Sequence, residues 1–247
     1  MDFPVLTAIG SPWLIVVVFV IVFLAAIVQA GLGLGFGLLA APLLALVNPE
    51  LVPAPTLILG FLTAGWGVLR ERQGIAWNEV GIGSIGRAAG VVVAAVILAN
   101  ITDRETFMLM FGLMIAIAVG LSVSGWRVPF SGASLISMGV VSGLMGTITS
   151  VGSPPMALIY QNHEAKNARP TMAAFFMIGC AFSLIGLAIA GWAGWQDLIF
   201  ATLMLPPMLA GLAFVQVLGS RFDGHFRMFL LAISGLAAVV LIVRGLA

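Results

Sequence analysis

The sequence predicts an all-α polytopic membrane protein made of two inverted repeats, each a broken or re-entrant helical hairpin followed by three transmembrane helices. Three observations predict it: a composition too apolar for a soluble core, about eight hydrophobic runs of membrane length, and a glycine-rich stretch that occurs twice. Of the 247 residues, 62% are hydrophobic and 8% are charged, with a mean hydropathy of +1.20. That leaves too little polar surface to cover a soluble domain of this length. The ten basic residues are scattered and the net charge is +1, so nothing points to nucleic acid as a partner. The single cysteine, Cys180, excludes an intrachain disulfide and reads as a small packing residue.

Crossing about 30 Å of hydrocarbon takes about 20 apolar residues. Residues 12 to 47, 52 to 69, 80 to 99, 106 to 123, 131 to 160, 170 to 190, 198 to 219 and 226 to 243 supply the runs. Only Asp2 is charged before the first of them, and without a basic flank it reads as a retained span rather than a signal peptide. Residues 12 to 47 and 131 to 160 would extend about 54 Å and about 45 Å as straight helices. Each must therefore break or fold back. The other runs follow in two sets of three. Pro55-Thr56 opens its run as Pro170-Thr171 opens the counterpart, and Asn100 to Phe107 resembles Ser220 to Phe226 as a short charged turn. The repeats fall at 1–124 and 131–247, joined by a seam at 125–130. Tryptophans 13, 66, 77, 126, 192 and 195 fall at or near run ends, as expected of headgroup anchors.

Loop charge distinguishes two topologies. If residues 131 to 160 return to the side from which they start, Arg70, Arg72, Arg127, Lys166, Arg169, Arg221 and Arg227 share one side, and Arg104 and Arg244 face the other. A single crossing there would leave no bias. The positive-inside rule favours the hairpin, which makes the repeats inverted and puts both termini outside.

Each long run carries the repeated feature: Gly31-Leu-Gly33-Leu-Gly35-Phe-Gly37 leading to Pro42, and Gly143-Leu-Met-Gly146-Thr147-Ile-Thr149-Ser150-Val-Gly152-Ser153 leading to Pro154, both over 11 residues. Broken helices at corresponding places in two halves free backbone groups for a solute. Gly33, Gly35, Gly37, Pro42, Thr147, Thr149, Ser150, Gly152, Ser153 and Pro154 are the candidate substrate-binding residues. A half-helix starting near Pro154 would also aim its positive end at the break. The competing reading of the glycines is close helix packing, since Gly31/Gly35, Gly86/Gly90 and Gly139/Gly143 each form G-x-x-x-G. Arg87 is the ionisable residue well inside a run, and joins the candidates as an attractor of anions. Snorkelling to the nearer interface is its alternative. Gln29, before the first motif, and His163, Lys166 and Arg169, in one loop, are candidate pathway residues. Gln216 near the end of the seventh run reads as an interhelical amide.

No Asp or Glu lies mid-run and no Walker-type phosphate loop is present, so neither a carboxylate relay nor ATP is indicated. No cofactor, metal site or catalytic residue is expected. Anion export down a membrane potential gains about 2.3 kcal/mol per charge per 100 mV.

On the Gly-x-Gly-x-Gly stretch running to Pro42, its repeat Gly143 to Pro155 and the Pro-Thr openings, nearly the whole chain resembles the sulfite exporter TauE/SafE family of bacterial membrane transporters. The resemblance implies a multi-pass protein of the cytoplasmic membrane that carries sulfur-containing anions such as sulfite, sulfonates or thiosulfate. Where the family has a Gly-Gly-Pro-like turn this chain has Gly152-Ser153-Pro154, and the first repeat has Ala40-Ala41-Pro42, which puts the weight on the second motif. The partners implied are a small anion and the lipid bilayer, and a homo-oligomer is compatible with the sequence. The alternatives are a carrier or channel for another small solute or ion, and an intramembrane hydrolase using Ser153 with His163 or His225, for which no orienting residue is evident. A membrane scaffold would be expected to carry a docking domain or long polar tail, which this sequence lacks.

Overall fold

The computed structural model describes residues 11–218 and 224–246. Among them the ordered elements are helical: α1 (Pro12–Leu32), α2 (Phe36–Val47), α3 (Ala54–Glu71), α4 (Trp77–Ala99), α5 (Arg104–Val123), α6 (Gly132–Thr149), α7 (Ser153–Tyr160), α8 (Ala165–Ile189), α9 (Trp195–Leu203), α10 (Leu205–Leu218) and α11 (Gly224–Leu246). Single 3₁₀ turns occupy Pro49–Leu51 and Arg72–Gly74. Six described helices are long and apolar enough to cross a membrane, and the α9–α10 pair, bent by 47°, makes a seventh if it counts as one span. The protein is a polytopic helical membrane protein. Asp2, Arg221 and the extreme termini lie outside the described residues, as do the side chains of Gln216, His225 and Arg227.

Both long runs break, for different local reasons. Between α1 and α2 the chain passes through Gly33 at φ 77° and Gly35 at φ 111°, left-handed backbone that glycine adopts without a Cβ clash. Between α6 and α7 the left-handed residue is Ser150, at φ 63°. Pro42 does not break the first run. It lies buried inside α2, whereas Pro154 stands in the first turn of α7, so the equal spacing from glycine to proline is not a structural equivalence. A proline inside a helix removes the N–H that would bond the carbonyl four residues back, here Leu38. That carbonyl accepts a hydrogen bond from Ser234 Oγ of α11 at 2.7 Å instead. The run 198 to 219 contains a bend the sequence reading missed, at Met204, just before Pro206 and Pro207 in the first turn of α10. Its Pro-Pro start is the same device as Pro154-Pro155 in α7.

The end of α7 returns to the start of α6. Gln161 Nε2 donates to the Trp126 carbonyl at 3.0 Å, and Phe130 lies 5.6 Å from Tyr160 and 4.5 Å from His163, ring centre to ring centre. Tyr160 also donates to Glu79 Oε2 at 2.7 Å, and the Ala76 N–H donates to Thr171 Oγ1 at 3.0 Å. The loops 70–79, 124–131 and 160–169 thus come together at one end of the bundle. At the opposite end Trp192 Nε1 donates to the Leu98 carbonyl at 2.9 Å, and Arg244 reaches the Leu46 carbonyl. Trp192 is therefore a half-buried structural residue; Trp66 is half-buried as well, while Trp13, Trp77, Trp126 and Trp195 are exposed.

The helices pack in matched pairs. α4 lies on α6 and α10 on α1; α5 lies on α7 and α11 on α2; α3 meets α8, and α5 meets α11. In the α4–α6 crossing a Cβ on Gly86 or Gly90 would strike the backbone of α6, and one on Gly139 or Gly143 the backbone of α4. For these four glycines close packing is the role observed.

Candidate functional site

Tight packing of α4 on α6 delivers Arg87 to the second break. Arg87 is the eleventh residue of the 23-residue helix α4, about 15 Å along it from Trp77. Its side chain does not snorkel, for it is 2% exposed. Nη1 donates to Ser142 Oγ of α6 at 2.8 Å, and Ser142 Oγ donates onward to the Gly152 carbonyl at 2.6 Å. The guanidinium carbon lies 5.2 Å from the Phe175 ring centre and 5.8 Å from that of Phe176, a cation–π arrangement in a desolvated setting. The slot it fills is made by missing side chains. A Cβ on Gly179 would collide with Arg87 Nε, and one on Gly152 or Gly146 would stand 2.8 Å from Nη1 or 3.0 Å from Nη2.

No ion pair to Arg87 exists among the described residues. Its Nε is buried without a hydrogen-bond partner, and so is Ser84 Oγ, one turn earlier on α4 and so on the same face. A buried cation normally has a carboxylate, and buried polar groups normally have partners. Both expectations fail at one place.

The hydroxyls of the second motif are mostly engaged with protein. Thr147 Oγ1 bonds the Gly143 carbonyl at 2.8 Å and Ser183 Oγ at 2.9 Å. Thr149 Oγ1 donates to the Met145 carbonyl at 2.7 Å and accepts the Val151 N–H at 3.2 Å. Ser150 Oγ donates to the Pro53 carbonyl at 2.9 Å. Ser153 is buried as the first residue of α7. Pro154 and Pro155 follow it and have no N–H, so the start of α7 offers fewer amide donors than a half-helix normally would.

The two motifs meet where a Cβ on Gly37 would strike the Ser150 carbonyl. The first motif is otherwise closed by Gln29, whose Oε1 accepts the Phe36 N–H at 3.0 Å while its Nε2 faces the Gly33 carbonyl at 3.5 Å. Gln29 is thus a bridge across the break as well as a lining residue. Arg169 Nη2 donates to the Ala30 carbonyl at 3.1 Å and to that of Gly31, capping the end of α1. Gln29, Gly33 and Arg169 line a small cleft together with Trp66 and Arg70. His163 and Lys166 are exposed; His163 stacks on Phe130 and Tyr160 and belongs to the loop cluster. Among the described residues no three His, Cys, Asp or Glu side chains come together in a way that could hold a metal ion.

Sequence reasoning missed Ser142, Gly179, Ser84 and the Phe175–Phe176 pair. Ser142 was findable, for Ser142, Gly146 and Thr149 recur at helical spacing on one face of α6. Gly179 was not, because nothing local marks it as opposite Arg87.

A family model described as Sulfite exporter TauE/SafE matches residues 18–241 of the chain. No curated protein and no solved structure matches it.

Proposed function

Since the chain belongs to the sulfite exporter TauE/SafE family, a family of membrane transporters for sulfur anions, we propose that it exports a small sulfur oxyanion, sulfite, a sulfonate or thiosulfate, across a bacterial cytoplasmic membrane by alternating access. The observation that carries this reading is Arg87: a buried guanidinium without a carboxylate, its Nε unpartnered and an unpartnered Ser84 hydroxyl one turn away. An oxyanion supplies the missing charge and accepts from several N–H groups at once. In this mechanism Ser142 holds the guanidinium against the Gly152 carbonyl, and Phe175 and Phe176 exclude water from the ion. Gly37 lets the first broken segment approach the second, and Gly33 and Gly35 turn the chain at the first break. Thr147, Thr149, Ser150, Ser153 and Pro154 shape the wall rather than donate to the substrate.

The matched packing of α4 on α6 with α10 on α1, and of α5 on α7 with α11 on α2, supports two inverted repeats, 1–124 and 131–247, rocking about the breaks. The basic loops gathered at one end support a cytoplasmic location for that end and outside termini. The chemistry is one-sided, since the crossing of α10 on α1 has apolar Leu212, 3% exposed, beside Gly211 where the crossing of α4 on α6 has Arg87 beside Gly86.

The test is reconstitution into liposomes and flux measurement with sulfite, sulfate, thiosulfate, a short sulfonate and chloride, with and without an imposed potential. Saturable sulfur-anion flux that follows the potential is expected. Flux of chloride or a cation alone, with none for the sulfur anions, would refute the assignment.

A further inference from the structure

We propose that the cleft at the end of α1 is a second oxyanion subsite, separate from Arg87, in which Arg169 and Arg70 receive the anion at the mouth of the pathway; this rests on the anion-transport reading. Two guanidiniums line this cleft against one carboxylate, Glu71, so it is net positive. Arg169 spends Nη2 on the Ala30 and Gly31 carbonyls, but its Nε is buried and unpartnered. A guanidinium has five donors in a planar fork, and the ones left over suit an oxyanion. Arg70 stands over Trp66 with its central carbon 5.1 Å from the ring centre. Stacked in this way, it keeps its in-plane N–H groups available.

The subsite is built onto the first break of the fold. The Arg169 stem packs where a Cβ on Gly33 would stand 3.1 Å from Arg169 Cγ, and its head holds the last carbonyls of α1. The same side chain therefore meets the anion and ties down the first break. An anion drawn to Arg169 competes with the Ala30 and Gly31 carbonyls and loosens the end of α1. Binding at the mouth is thereby coupled to the broken segment that leads inward. The shared ligand chemistry is an oxyanion, which a free sulfur anion or a lipid headgroup could supply.

Trp66 reports on this cleft. The full chain in nanodiscs is titrated with sulfite while tryptophan emission is followed, and Trp66→Phe subtracts the other five tryptophans. A saturable change is expected that Trp66→Phe removes, that Arg87→Ala retains, and that Arg169→Gln shifts by about tenfold or more in midpoint. Arg70→Gln, at an exposed position outside the α1 cap, is expected to do the same and keeps the test valid if Arg169→Gln does not fold. No Trp66-dependent change in the wild type, or an unshifted midpoint in Arg70→Gln, would overturn the subsite, as would loss of the response in Arg87→Ala. Discs of phosphatidylcholine are compared with discs containing phosphatidylglycerol. A response abolished by the anionic lipid assigns the cleft to headgroups and overturns the solute subsite; equal midpoints support it. Liposome flux that persists with Arg70→Gln unshifted would sink this subsite and leave the transport reading standing.

Discussion

Arg87 and Ser142 form a buried donor–acceptor pair across the α4–α6 crossing, Nη1 to Oγ at 2.8 Å, and the serine hydroxyl donates in turn to the Gly152 carbonyl. The guanidinium is thereby fixed to the very turn at which the second hairpin breaks. Arg87→Ala removes the charge without touching the glycine contacts between the helices. It is expected to leave the protein inserted and folded and to lower sulfur-anion flux by about tenfold or more, about 1.4 kcal/mol or above. Arg87→Lys, a point charge without a planar fork, is expected to recover only part of the flux. Undiminished flux in Arg87→Ala liposomes would remove the residue from the site.

The slot around Arg87 makes a second expectation. Gly179→Ala drives a methyl into Arg87 Nε, and overfilling of this kind costs about 1–3 kcal/mol. Thermal unfolding in detergent should fall accordingly. The double variant Gly179→Ala with Arg87→Ala should regain the stability and not the flux. If Gly179→Ala alone is as stable as the wild type and fully active, the slot is looser than its geometry implies.

The bundle was legible in the sequence to the extent that it depends on hydrophobic length. Run lengths and the need for two breaks follow from how many apolar residues can cross a bilayer. The precise breaks were less legible, because Gly33, Gly35 and Ser150 act through backbone dihedrals while the conspicuous Pro42 is absorbed by a hydroxyl from α11, 192 residues away in sequence. The partners of Arg87 come from α6 and α8, and no local pattern on α4 announces them. Arg87 itself stood out because charge inside a membrane is costly.

Gln29 gives a test of the first break. Its amide supplies the acceptor for the Phe36 N–H at the start of α2. Gln29→Leu strands that N–H in a buried turn, at a cost of about 1–3 kcal/mol, whereas Gln29→Glu keeps an acceptor at Oε1. Unfolding measured for both variants should separate them, with the leucine variant clearly the less stable. Equal stability would mean that Phe36 finds another partner.

The absorbed proline predicts a rescue. Ser234→Ala leaves the Leu38 carbonyl without its Ser234 bond and should destabilise by about 1–3 kcal/mol. Pro42→Ala restores a backbone N–H four residues after Leu38, so the helix can satisfy that carbonyl itself. The double variant should be more stable than Ser234→Ala alone. Simple additivity of two losses in thermal unfolding would show that Ser234 does not act through the proline.

Topology carries the final expectation. Gln161 bonds to Trp126, so the loop after α7 and the seam before α6 share one end of the bundle, and that end bears Arg70, Arg72, Arg127, Lys166 and Arg169. With this end cytoplasmic, a cysteine placed at exposed Lys166 in a Cys180→Ala background should react with an impermeant maleimide only in inside-out vesicles, and a cysteine replacing Arg104 only in intact cells stripped of their outer layer. A C-terminal reporter should work only outside. If Lys166 and Arg104 label from the same side, α6 and α7 do not form a membrane hairpin with the sidedness the charges demand, and the inverted arrangement of the repeats falls with it.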